Sequence, residues 1–193
     1  EFRHDLLVRV YCACGLKKTS AQMGAAAVRK KRLEGQNRTG NLRRETRPAA
    51  AAETAAARTP SAPRKVRKGD RLCVIASSTG GPKALQAVVP LFPADFPYPI
   101  VVIQHMPAGF TASLASRLNE LSPLFVKEAE DGETLKRGYV YIAQGGKQCE
   151  LVQREAGRYT FSENDTPPRG GLRPCADIFF ESLVNTSLEE VFC

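Results

Sequence analysis

Ser77, Ser78 and Thr79 form one hydroxyl-rich turn, and His105 stands at the end of the next apolar run. Serine and histidine brought together make a nucleophile and its base, a pair that opens acyl bonds through a covalent intermediate. Residues 76–80, A-S-S-T-G, nearly match the nucleophile-elbow pattern G-x-S-x-G: Ala76 takes the first glycine position, Ser78 the serine position and Gly80 the last. Backbone N–H groups of such a turn face a developing negative charge. Small residues also serve a plain strand-to-helix turn, or a phosphate-binding loop at a helix N-terminus. A P-loop would end in Gly-Lys-Ser or Gly-Lys-Thr, whereas Gly81-Pro82-Lys83-Ala84 follows here, which counts against that use.

Positioning these groups requires two strands. Residues 72–76, L-C-V-I-A, are an unbroken apolar run suited to a strand buried on both faces of a parallel sheet. After the turn, Pro82 suits a first helical turn, and Ala84, Leu85, Val88 and Val89 recur at helical spacing. Pro93, Pro97 and Pro99 then mark a loop, and residues 100–103 form a second buried run that ends in Gln104-His105-Met106-Pro107. The intervening chain is long enough for a right-handed crossover, so both strands can lie parallel, with Ser78 and His105 just beyond their carboxyl ends. Open parallel sheets bind ligands along that edge. A single histidine after a strand is more often structural than catalytic. His105, however, is one of two histidines in the chain, with His4, and it shares the edge with the hydroxyl-rich turn.

Further on, Thr111 is placed to cap a helix carrying Leu114, Ala115, Leu118 and Leu121. Short β-prone runs follow at 125–126, 139–143, 149–153 and 158–162, with turns at Asp131-Gly132, Gly145-Gly146 and Ala156-Gly157, a pattern that predicts a meander with hairpins. A polar loop over 163–172 leads to a helix with Cys175, Ile178, Phe179 and Leu183 inward. After Val191 and Phe192 an α/β pattern calls for another strand.

Charge divides the chain unevenly. Residues 16–68 hold fifteen Lys and Arg against three Glu, a net of +12; the whole chain is +8, which leaves −4 elsewhere. Rich in Ala, Thr and Pro and poor in large apolar groups, this stretch predicts a flexible basic linker. It lacks the interleaved aromatics of a nucleic-acid-binding segment, so no nucleic acid is expected as partner. Residues 1–15 place Phe2, Leu6, Leu7, Val10 and Cys14 on one helical face, closed by Gly15. Six cysteines without a C-x-x-C pair or histidine cluster imply reduced thiols and no metal site. No stretch is apolar for the length of a membrane span, and no signal peptide opens the chain, so the expected location is the cytoplasm, without membrane insertion.

Five segments in order, V-I-A-S-S-T-G-G-P, I-Q-H-M-P-A-G-F-T, K-E-A-E-D-G-E, G-Y-V-Y-I-A-Q-G-G and L-R-P-C-A-D-I-F-F, resemble the catalytic domain of the CheB family, the bacterial chemotaxis protein-glutamate methylesterases. The resemblance implies an α/β, Rossmann-like three-layer domain with a parallel sheet over residues 69–193, preceded by the linker at 16–68 and, at 1–15, the last helix of a receiver domain. It implies hydrolysis of glutamate methyl esters, and deamidation of glutamines, on the cytoplasmic helices of methyl-accepting chemotaxis receptors, with no cofactor. A histidine kinase would act through the receiver. The family's nucleophile falls on Ser78 and its histidine on His105. The adjoining threonine falls on Thr79, whose N–H is a candidate oxyanion donor.

Two departures stand out. Ala76-Ser77 replace the more usual Gly-Ala, and the family's catalytic aspartate belongs to a G-M-G-x-D-G motif that does not occur before Cys193. The expectation is therefore an impaired fragment, incomplete at both ends. Asp131, Asp165 and Asp177 align elsewhere in the family and receive no catalytic role. The alternative from another class is a non-catalytic module that holds an anion or phosphate at the Gly80-Gly81 turn.

Overall fold

The computed structural model describes residues 71–155 and 157–193, so the expectations for residues 1–15 and 16–68, and the Ala156 half of one turn, lie outside the described residues. The first apolar run is strand β1, Arg71–Ser77, and the second is β2, Ile100–Gln104, whose five residues are all buried. They pair in parallel from Cys73↔Ile100 to Ser77↔Gln104. Between them runs helix α1, Gly81–Val88, with Pro82 in its first turn, followed by a short 3₁₀ turn over Val89–Leu91. Helix α2, Phe110–Leu121, then leads to β3, Phe125–Glu128, and onward to β4, Tyr139–Ile142. The hairpin of β5, Gln148–Glu155, and β6, Arg158–Asn164, precedes helix α3, Ala176–Leu183, and a final strand β7, Glu190–Phe192.

Five strands form one parallel sheet in the order β3-β4-β2-β1-β7. Alternation along each strand divides the core in two. Cys73, Ile100, Val102, Val140 and Ile142 face Leu85, Val88, Leu114 and Leu118 of α1 and α2. Leu72, Val74, Val101, Ile103 and Tyr141 face Leu151, Tyr159 and Phe161 of the hairpin and Phe179 and Leu183 of α3. Two-sided burial explains why the central strands read as continuous apolar runs rather than alternating ones. The three layers match the expected fold, but the second outer layer is a β-hairpin together with α3 rather than helices alone.

Several local expectations change. The segments at 125 and 139 are not a meander: β3 and β4 are parallel neighbours. The chain between them crosses over the hairpin layer, where Leu135 donates to the Tyr159 carbonyl at 2.8 Å and Phe161 to that of Glu133 at 3.0 Å. The strand called for at the end is present as Glu190–Phe192 itself, which pairs with Arg71–Cys73 of β1, so this part of the β1 edge is covered. Ala84 is exposed and Leu121 half-buried, because each lies off the face that meets the sheet. Thr111 does not cap α2. Gly109, at φ 84°, starts the helix, and Thr111 turns fully into the interior.

Candidate active site

Because β1 and β2 end in register, the residues that follow, Ser78 and His105, leave the sheet at the same carboxyl edge. The ladder continues one step beyond the strands: the His105 N–H donates to the Ser77 carbonyl at 3.1 Å. After Ser78 the chain turns at once, with the Gly81 N–H donating to the Ser78 carbonyl at 2.8 Å. Gly80 takes φ 79° as the residue before α1, a left-handed conformation that a side chain would strain. Ser78 and Thr79 are exposed. Among the described residues no acceptor takes the Thr79 N–H.

The two serines are separated by direction. Ser77 turns inward, and its Oγ donates to Gln104 Oε1 at 2.7 Å. Ser78, by contrast, is exposed. Gln104 is the residue of the site that motif patterns miss; its one sequence signal is a polar side chain closing a wholly apolar run, directly before the candidate base. It is 1% exposed, and its Nε2 donates to the Ser78 carbonyl at 3.0 Å and the His105 carbonyl at 3.2 Å. Position 81 has no space for a side chain: a Cβ there would stand 1.9 Å from Gln104 Oε1 and 2.9 Å from Ser77 Oγ.

His105 is the candidate base. Its Nε2 is buried and has no hydrogen-bond partner, neither Ser78 Oγ nor a carboxylate among the described residues. The fold makes no structural hydrogen bond through this nitrogen. Asp131 instead accepts from the Glu163 N–H at 2.9 Å, Asp165 offers its carbonyl to Arg173, and Asp177 is exposed in the first turn of α3. Among the described residues, no three His, Cys, Asp or Glu side chains gather into a metal-binding group.

The loop after His105 is wedged from behind. Gly145 approaches it so closely that a Cβ would lie 2.4 Å from the Pro107 carbonyl oxygen and 2.7 Å from that of Met106. Its N–H donates to Thr111 Oγ1 at 2.9 Å, and Thr111 in turn donates to Glu128, which joins α2, β3 and the loop after β4. The polar loop before α3 is held alongside, since Gly146 donates to the Arg173 carbonyl at 3.1 Å and Gln148 Nε2 to those of Pro167 and Leu172. Gly145→Ala should displace residues 106–107, because backbone cannot rotate away as a side chain can. The expected cost is about 1–3 kcal/mol of stability, read by urea unfolding, with a lowered rate through His105. Unchanged stability would mean that the loop yields freely at this point.

Comparison with known proteins places this arrangement. Residues 73–193 match the family model described as CheB methylesterase. The Geobacillus kaustophilus protein-glutamate methylesterase/protein-glutamine glutaminase is 47% identical over 124 residues, covering 64% of this chain and 35% of that protein. The Bacillus subtilis protein of the same description is 51% identical over 116 residues, covering 60% and 32%. The chain spans about a third of the length of the curated relatives it matches. Among solved structures, the CheB methylesterase catalytic domain of Thermotoga maritima superposes with a TM-score of 0.60 at 43% identity, covering 63% of this chain and 64% of that one. With the family match extending over more than half of its residues, and with the fold shared with a solved member, the chain belongs to the CheB methylesterase family.

Proposed function

We propose that this chain carries the serine-histidine centre of a chemotaxis methylesterase that hydrolyses glutamate methyl esters on chemoreceptors and deamidates their glutamines. The observation that carries the reading is that an exposed Ser78 and a His105 whose buried Nε2 makes no hydrogen bond leave the sheet at the same edge. The names of the relatives supply the reaction, protein-glutamate methylesterase and protein-glutamine glutaminase. His105 Nε2 takes the proton from Ser78 Oγ as that oxygen attacks the ester carbonyl carbon. The carbonyl oxygen becomes an oxyanion facing the Thr79 N–H. Collapse expels methanol, which takes the proton back from His105, and leaves a glutamyl-serine ester. Water, deprotonated by His105, then releases the glutamate and restores Ser78. A glutamine follows the same course with ammonia as the leaving group.

In the same reading, residues 16–68 tether this domain to a receiver domain served by a histidine kinase, and the protein works in the cytoplasm. No helix among the described residues is long and apolar enough to cross a membrane. The turn before α1 also presents N–H groups suited to an anion, so the test must separate catalysis from simple binding. A fluorophosphonate probe forms a stable adduct with an activated serine and not with a phosphate cradle. Peptide mass spectrometry should locate the adduct on Ser78. An unlabelled chain that binds inorganic phosphate would replace the esterase with a binding module.

A further inference from the structure

We infer that Gln104 is a positioning residue that aims the oxyanion donor, an inference that rests on the esterase reading above. The Ser78 carbonyl and the Thr79 N–H belong to one planar trans peptide, in which C=O and N–H point in opposite directions. Gln104 Nε2 at 3.0 Å joins the Gly81 N–H at 2.8 Å in holding that carbonyl, so the Thr79 N–H is turned away from both, to the edge where Ser78 is exposed. The other Nε2 hydrogen reaches the His105 carbonyl at 3.2 Å. One rigid amide thereby ties the backbone of the nucleophile to the backbone of the base, across two strands.

The amide itself cannot turn. The Ser78 and His105 carbonyls only accept, which sets the Nε2 end toward them; Ser77 Oγ then donates to Gln104 Oε1 at 2.7 Å, and Gly81 closes over the group without a side chain. This gives a use to the serine that stands where the family more often has alanine: a hydroxyl at 77 locks the amide that orients residue 78. The group touches neither substrate nor reacting atoms, so its effect is exerted through the peptide it holds.

Two variants test this. Gln104→Glu keeps the shape but loses both donors, and Gln104→Leu combined with Ser77→Ala removes the amide together with its hydroxyl partner. The double variant removes Ser77 and Gln104 as partners of each other and leaves the Ser78 carbonyl its Gly81 N–H, so only the His105 carbonyl loses its donor; the protein should stay folded and lose about 1–3 kcal/mol. Its kcat for a methylated receptor fragment should nevertheless fall about 10²-fold with KM within about threefold, since an oxyanion donor acts in the transition state. Native kcat in either variant, or a double variant that regains kcat together with its melting temperature, overturns the inference. Should the native protein neither hydrolyse esters nor react with the probe, the esterase reading fails separately. Amide hydrogen exchange at Gly81 and His105 then decides: faster exchange in the double variant supports the clamp, and unchanged exchange overturns it.

Discussion

Ser78→Ala is expected to lower methyl-ester hydrolysis by about 10⁴-fold or more, with the fold intact. The nucleophile is lost outright, while the exposed hydroxyl makes no hydrogen bond with another described residue, so stability should change by no more than about 0.5 kcal/mol. Ser77→Ala should behave in the opposite way. It strands Gln104 Oε1, a buried acceptor, at a cost of about 1–3 kcal/mol, yet leaves both Gln104 donors and the nucleophile in place. Its rate should stay within about tenfold of native. A receptor demethylation assay beside a urea melt separates the two, and the reverse ranking of rates would remove Ser78 from its role.

His105→Phe should be as damaging to the rate and harmless to the fold. The ring loses its proton acceptor, so kcat should fall about 10⁴-fold or more, and combining it with Ser78→Ala should cost little beyond either change alone, because nucleophile and base act as a unit. The backbone groups of His105 that hold the strand ends together, its N–H to Ser77 and its carbonyl to Gln104, do not depend on the side chain. Phenylalanine fills a similar volume and removes a buried nitrogen that has no partner, a feature that costs about 1–3 kcal/mol to keep. The melting temperature should therefore hold or rise, the signature of a residue kept for chemistry at the expense of stability. A large fall in melting temperature, or a rate within about tenfold of native, would show that the imidazole is structural.

Much of the site was legible because its signals are local. An apolar run without alternation, a turn of small and hydroxylated residues, and a proline at the helix start define β1, the turn and α1 from neighbouring residues alone. The right-handed crossover rule then places β2 beside β1, and a single short loop at each strand end leaves Ser78 and His105 few other places to be. The small central residues and the paired strand ends thus follow from patterns that span a few residues each.

Tertiary contacts decided the rest. Gln104 became a clamp only once the β1–β2 register brought Ser77 opposite it, and nothing in the neighbourhood of residue 104 says that residue 77 will be there. Thr111 has the composition of a helix cap, but Gly109 can start the helix, and Glu128 and Gly145 offer the hydroxyl two partners in the interior. The turn at Gly145-Gly146 could be read from its residue types, while the need for glycine at 145 comes from the Met106 and Pro107 carbonyls lying against it. For β3 and β4, hairpin and parallel crossover use equally apolar strands, and the choice was made by the hairpin layer, which gives the connecting chain backbone partners on β6. Local propensity is a property of neighbouring residues, whereas register, close approach and the direction of a buried polar group are set by atoms distant in the chain.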